Sequence, residues 1–167
     1  MDLVRIRDYC AIDPSSCEKI NFEKPNTPLA ADVRAALQVA ARLGATIGRI
    51  AQLGGVSFPN ADLRAVSLVG ASLIAADFRG SNLAYSNLTR ADLHGADLSG
   101  VDLTAASLSA ANLAGASLVR ARLRDASLAD AILTGADLSG ADLRGVAGMT
   151  ADQIRKVAIT DQTTLFD

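Results

Sequence analysis

Tryptophan is absent, and the 167 residues hold only two tyrosines, four phenylalanines, two cysteines and one histidine. So few aromatics mean that any core must be aliphatic. A single histidine, His94, leaves little for general acid–base chemistry. Cys10 and Cys17, with six residues between them and no second pair, do not make a zinc site and are expected to be free thiols. Neither a GxGxxG nor a Walker motif is present, so no cofactor is expected. Basic excess is missing too: 16 basic against 18 acidic residues give a net charge of −2 and a pI near 5.3. That balance argues against direct nucleic-acid binding. At 50% hydrophobic residues the chain is not of the disordered class.

Long apolar runs are lacking as well. The segment Met1-Asp2-Leu3-Val4-Arg5-Ile6-Arg7-Asp8 has no apolar stretch of the secretory type. The most helix-like apolar region, 29–53, is interrupted by Asp32, Arg34, Arg42 and Arg49 and falls short of the roughly 18 residues of a membrane span. A cytoplasmic protein is expected. The sequon Asn87-Leu88-Thr89 then has no consequence.

What is present is a period of five. Residues 56–145 divide into eighteen pentads without insertion or deletion, among them Ala61-Asp62-Leu63-Arg64-Ala65 and Ala141-Asp142-Leu143-Arg144-Gly145. Position three is Leu in sixteen pentads and Phe in two, Phe58 and Phe78; position one is Ala, Val or Ser throughout. Position two is Asp, Asn or Ser in sixteen, with Arg122 and Ile132 the departures; position five is Gly in eight. Five matches neither the 3.6 of a helix nor the 2.0 of a long strand. Inside each pentad, however, an apolar–polar–apolar triplet reads as extended chain pointing in, out and in, followed by a corner. A short edge and a corner, repeated, close into a coil, and stacked coils make an all-β solenoid.

The eighteen-fold A(D/N)LXX pattern resembles the pentapeptide-repeat family. The resemblance implies a right-handed quadrilateral β-helix of about twenty residues per coil, here about four and a half coils. Phe58 and Phe78 are twenty apart and should stack. Asp102, Arg122 and Asp142 have the same spacing, which should place Arg122 between two carboxylates.

Short helical caps are expected at both ends. The expected organisation is an irregular arm over 1–27, a helical cap over 28–50, the repeat over 51–146, and a C-terminal helical cap and tail over 147–167. Thr27-Pro28 starts the first helix, and Leu29, Val33, Leu37, Ala40 and Leu43 form its apolar stripe. Residues 31–37 are also similar to a stretch in bacterial family members that carry membrane helices. The alternative role for 29–53 is therefore an amphipathic membrane anchor. Thr150-Ala151-Asp152-Gln153 is a capping box opening a helix to about Val157, and residues 149–154 resemble the closing segment of family members.

No catalytic pair emerges, so the chain is not read as an enzyme. His94 falls at an outward fourth position beside Ile74 and Ala114, neither of which is a proton partner. Two outward surfaces are candidates for docking a protein partner. Arg120, Arg122, Arg124 and Arg144 form a basic patch suited to an acidic partner. A neutral face, with Val69, Thr89, Ser109 and Ala129 and the neighbouring Ile74 and Ile132, is suited to partner docking or to homodimer formation. The expected function is a non-catalytic interaction scaffold. Resemblance to the Qnr-type quinolone-resistance members implies an alternative, a DNA mimic that binds gyrase. Charge argues against it: the repeat carries nine Asp against seven Arg, a net of 9 − 7 = 2 negative charges. Duplex DNA of the same height, roughly 22 Å, carries about 13.

Overall fold

The computed structural model describes residues 53–55 and 57–167. The arm expected over 1–27, the helical cap expected over 28–50 and the membrane anchor expected over 29–53 fall outside these residues, apart from Leu53.

Second-position residues pair in parallel at a spacing of twenty through the whole repeat, from Ser57 with Asp77 to Arg122 with Asp142. Four pentads therefore make one coil. The coil has four faces, numbered here from the pentad at 56–60 onward. Face 1 carries the column Ser57, Asp77, Asp97, Ser117, Asp137; face 2 carries Asp62, Asn82, Asp102, Arg122, Asp142. Face 3 carries Ser67, Asn87, Ser107, Ser127, and face 4 carries Ser72, Asp92, Asn112, Ile132.

One pentad shows how the backbone is satisfied. Leu63 N–H donates upward to Asn82 O at 2.8 Å, Asn82 N–H donates downward to Ala61 O at 2.8 Å, and Ala65 N–H donates upward to Ala84 O at 2.9 Å. The N–H of Val66, opening the next pentad, closes the corner on Leu63 O at 3.3 Å. Positive φ at the third residue of that turn is the type II signature. All nineteen fifth positions from Gly55 to Gly145 adopt it, and ten of them are not glycine. Each such residue accepts a left-handed conformation that costs an L-residue about 1 kcal/mol or more. The stack, not local preference, holds those corners.

That leaves the fourth N–H of each pentad. In all ten pentads whose second residue is Asp or Asn, its side-chain Oδ1 accepts that N–H, as Asp102 does from Thr104 at 3.0 Å and Asn112 from Ala114 at 3.2 Å. The Asp/Asn preference at position two is thus an Asx turn at the corner. At four of the six pentads with serine at position two, its hydroxyl bonds between coils instead, Ser57 donating to Asp77 at 3.0 Å. Ser107, Ser117 and Ser127 each meet a hydroxyl of the coil below, on Thr89, Ser99 and Ser109, at 2.8–2.9 Å.

First and third positions fill the interior, with Leu63 through Leu138 at 0–2% exposure. Phe58 and Phe78 stack as the twenty-residue spacing requires, ring centroids 5.8 Å apart. Two first positions are serine. Ser81 Oγ donates to Phe78 O at 2.7 Å, whereas Ser86 Oγ is buried without a partner.

The ladder does not stop at residue 146. Ala147 pairs with Ser127, and Gly148, at φ +90°, lies so close to the Ala129 backbone that a Cβ there would overlap it. The helix Ala151–Val157 follows, with Thr150 and Gln153 forming the reciprocal capping box and Ile154 buried in the core. Ile159 then pairs on face 1 with Asp137, and Leu165 on face 2 with Asp142. At this end two corner amides that would otherwise donate to a further coil are taken by carboxylates. Gly140 N–H donates to Asp161 at 3.1 Å and Gly145 N–H to Asp167 at 2.8 Å. Arg155 lies over the Phe166 ring, 4.3 Å from its centroid.

A candidate interaction surface

With positions one and three turned inward, everything the coil can offer a partner sits at positions two, four and five. The twenty-residue register sorts those positions into vertical columns.

On face 2 the Arg of an Asp-Leu-Arg pentad folds back onto its own Asp. Arg64 Nε and Nη2 donate to Asp62 Oδ1 and Oδ2 at 2.9 and 2.8 Å, and Arg144 grips Asp142 at 2.8 and 2.7 Å. Face 1 repeats the arrangement with Arg79 on Asp77, both contacts 2.9 Å. Each of these carboxylates also accepts its pentad's fourth N–H. The bidentate guanidinium holds the Asp77 and Asp142 carboxyls below the usual range.

These forks correct one expectation. Arg122 does stand in register between Asp102 and Asp142. Yet the Asp142 carboxylate is occupied by Arg144, and Arg122 reaches only Asp102, at 3.8 Å, with 72% of its side chain exposed. Arg144, two residues from Asp142, wins over a residue one coil away because the shorter reach costs less side-chain freedom. Of the four arginines proposed as a basic patch, Arg144 is therefore neutralised. Arg120, at the corner entering face 2, and Arg124, at its fourth position, are exposed and make no ion pair among the described residues.

The residues expected to form a neutral face are divided between two faces. Val69, Thr89, Ser109 and Ala129 share the fourth-position column of face 3. Val69 is 51% exposed, while Thr89 and Ser109 spend their hydroxyls on Ser107 and Ser127. Ile74 and Ile132 lie around the corner on face 4, both exposed. Ile74 belongs to the first coil and Ile132 to the fourth, so the register sets them roughly 14 Å apart along the stack and they do not form one patch. His94 stands in the Ile74 column, near Gly115.

Three features escaped the sequence reading. The Asp-x-Arg forks were legible as a two-residue spacing of opposite charges. Tyr85, 68% exposed at a corner with φ +61°, has no signal in the periodic pattern. Ile159 and Leu165, outward on the last strands and also exposed, come at spacings of 22 and 23 from their partners and so fall outside the period. No helix among the described residues is long and apolar enough to cross a membrane.

A family model described as pentapeptide repeats matches the chain in eight copies over residues 51–83, 67–109 and 106–145. Among solved structures, a pentapeptide repeat protein from the Arabidopsis thaliana thylakoid lumen is 31% identical, with a TM-score of 0.60 over 68% of this chain and 83% of that one. HetL, a pentapeptide repeat protein involved in heterocyst differentiation regulation from the cyanobacterium Nostoc, is 33% identical over 71% of this chain and 60% of its own, with a TM-score of 0.31. QnrB1, a plasmid-mediated fluoroquinolone resistance protein, in its trypsin-treated form is 21% identical over 70% of this chain and 57% of its own, with a TM-score of 0.46. None of the curated proteins matches the chain.

Proposed function

The chain belongs to the pentapeptide-repeat family, and from that premise we propose that it is a non-catalytic interaction protein, a rigid prism whose outward columns dock a protein partner. The family's coil is a right-handed quadrilateral β-helix, and the twenty-residue register fits it. In this reading the helix Ala151–Val157 and the strands after it close one end of the stack, and the cytoplasm is its setting.

One observation carries the proposal. Every Asp and Asn at a second position is committed to its own corner N–H, and three of those Asp also hold an Arg in a fork. Carboxylates so engaged are structural, and they are poorly placed to serve as a general base or as an array of free negative charge.

The same observation weighs against a gyrase-binding DNA mimic. Its one favourable feature is the face 1 column of Asp77, Asp97 and Asp137, broken by Ser117 and neutralised in part by Arg79. A supercoiling assay with purified gyrase, with and without a fluoroquinolone, separates the two readings. The interaction reading expects no change up to tens of micromolar protein, well above typical specific affinities. Inhibition of supercoiling, or protection from the drug, would replace it with the DNA-mimic reading.

A further inference from the structure

We propose that the fourth coil of face 2, at Arg120, Arg122 and Arg124, is the docking site for an acidic peptide segment of the protein partner. The inference rests on the interaction reading above and names the partner's chemistry.

The first ground is a broken rule. At ten pentads the second residue takes the fourth N–H of its own corner, and at six it is serine. Arg122 and Ile132 give up both options, and of the two only Arg122 places a charge in its column. The N–H of Arg124, which an Asp or Asn at 122 would have accepted, has no acceptor among the described residues, as in the serine pentads. A local rule abandoned without a gain in packing marks a position held for another purpose.

The second ground is charge that the molecule leaves exposed and only loosely paired. Elsewhere on this face arginines are spent on carboxylates two residues away, Arg64 on Asp62 and Arg144 on Asp142. Arg120 and Arg124 have no carboxylate at that spacing before them, since Leu118 and Arg122 stand there. Arg122 has only the 3.8 Å contact to Asp102, whose other oxygen already accepts the Thr104 N–H. Three guanidiniums within five residues outnumber the carboxylates beside them, Asp102 against Arg122 and the exposed Asp125 next to Arg124. That set complements a row of carboxylates. Arginine is the residue whose planar fork recognises them bidentately and which recurs at interface hot spots. A flat solenoid face suits an extended segment, and the coil below on face 2 offers the small residues Thr104 and Ala105.

The test is fluorescence anisotropy with a labelled peptide alternating Asp and Glu, on the full chain. The parent protein should bind it, and the affinity should fall at least tenfold when salt is raised from about 50 to about 300 mM, which shortens the screening length by more than half. The decisive variant combines Arg120→Gly, Arg122→Asn and Arg124→Ser. Each replacement is a residue of a type the repeat uses at that position, so the variant should melt no lower than the parent while binding at least thirtyfold more weakly. Arg79→Ser, on face 1, should leave binding unchanged. Equal binding by the triple variant, no binding by the parent at low salt, or tighter binding of duplex DNA or inorganic phosphate than of the peptide would each overturn the proposal. The gyrase assay is blind to these outcomes, so failure here is distinguishable from failure of the interaction reading.

Discussion

Face 2 carries Asp62, Asn82, Asp102, Arg122 and Asp142 in its second-position column; face 3, one corner away, carries Ser67, Asn87, Ser107 and Ser127. Behind both lies the same aliphatic core, with Leu103 and Leu108 each at 0% exposure. Both use the same inter-coil bonds, Leu103 N–H to Arg122 O at 2.7 Å and Leu108 N–H to Ser127 O at 2.8 Å. Yet face 2 closes its corners with carboxylates and forks them with arginine, while face 3 links hydroxyls between coils. The fold constrains positions one and three tightly and position two only to what can satisfy, or spare, one N–H. Recognition can therefore be rewritten column by column without altering the coil.

The comparison can be broken most severely from inside. Leu103→Ala and Leu108→Ala should each cost about 2–5 kcal/mol, and should differ from one another by less than about 1. Chemical denaturation of the two variants checks this, and a clear inequality would mean that the two faces do not share one core. A smaller contrast comes from the second column. Asp102→Ala removes the acceptor of the Thr104 N–H and should cost about 1 kcal/mol. Ser107→Ala removes only a half-buried hydroxyl pair with Thr89 and should cost less, about 0.5 kcal/mol.

The first-position serines sharpen the contrast in sign. Ser81→Ala on face 2 discards a bond to Phe78 O and should destabilise by about 1 kcal/mol. Ser86→Ala on face 3 relieves a buried hydroxyl with no partner and should stabilise by about as much, read as opposite shifts of melting temperature. The smallest effect belongs to acid. Asp161, bonded first by the Thr163 hydroxyl and also by the Gly140 N–H, has its carboxyl pulled down to about 2. A lowered folded value adds stability that is complete above the ordinary carboxylate value near pH 4 and is lost as the pH falls toward 2. Asp161→Asn keeps the acceptor and loses the titration, so its melting temperature should fall less steeply over that window.

Much of this was legible in the sequence, because a strict period constrains every later step. The five-residue register gave the in–out–in edge, and Phe58 over Phe78 marked the length of the coil. Thr150 and Gln153 announced the C-terminal helix, since a capping box is local chemistry that needs no tertiary partner. The meaning of Asp and Asn at position two was not read: outward and polar sufficed for the pattern, although an acceptor two residues before an N–H is the ordinary Asx signal. Arg122 does stand between Asp102 and Asp142 and reaches Asp102, but the reading missed that Asp142 is taken by Arg144, two residues away. The last strands, around Ile159 and Leu165, were hidden because the helix breaks the count. As for the docking surface, the arginines were visible, and which of them are already spent required the geometry.

The twenty-residue ladder also decides how the molecule meets force. Each coil is bonded only to the coil on either side of it, by short bonds that lie along the stack. Tension applied between the two ends would load one edge at a time and leave the rest at rest, like thread drawn from a spool. Each coil released frees twenty residues and so lengthens the tether by roughly 60 to 70 Å. An assembly hung on such a prism would give way in equal steps, each coil acting as its own fuse.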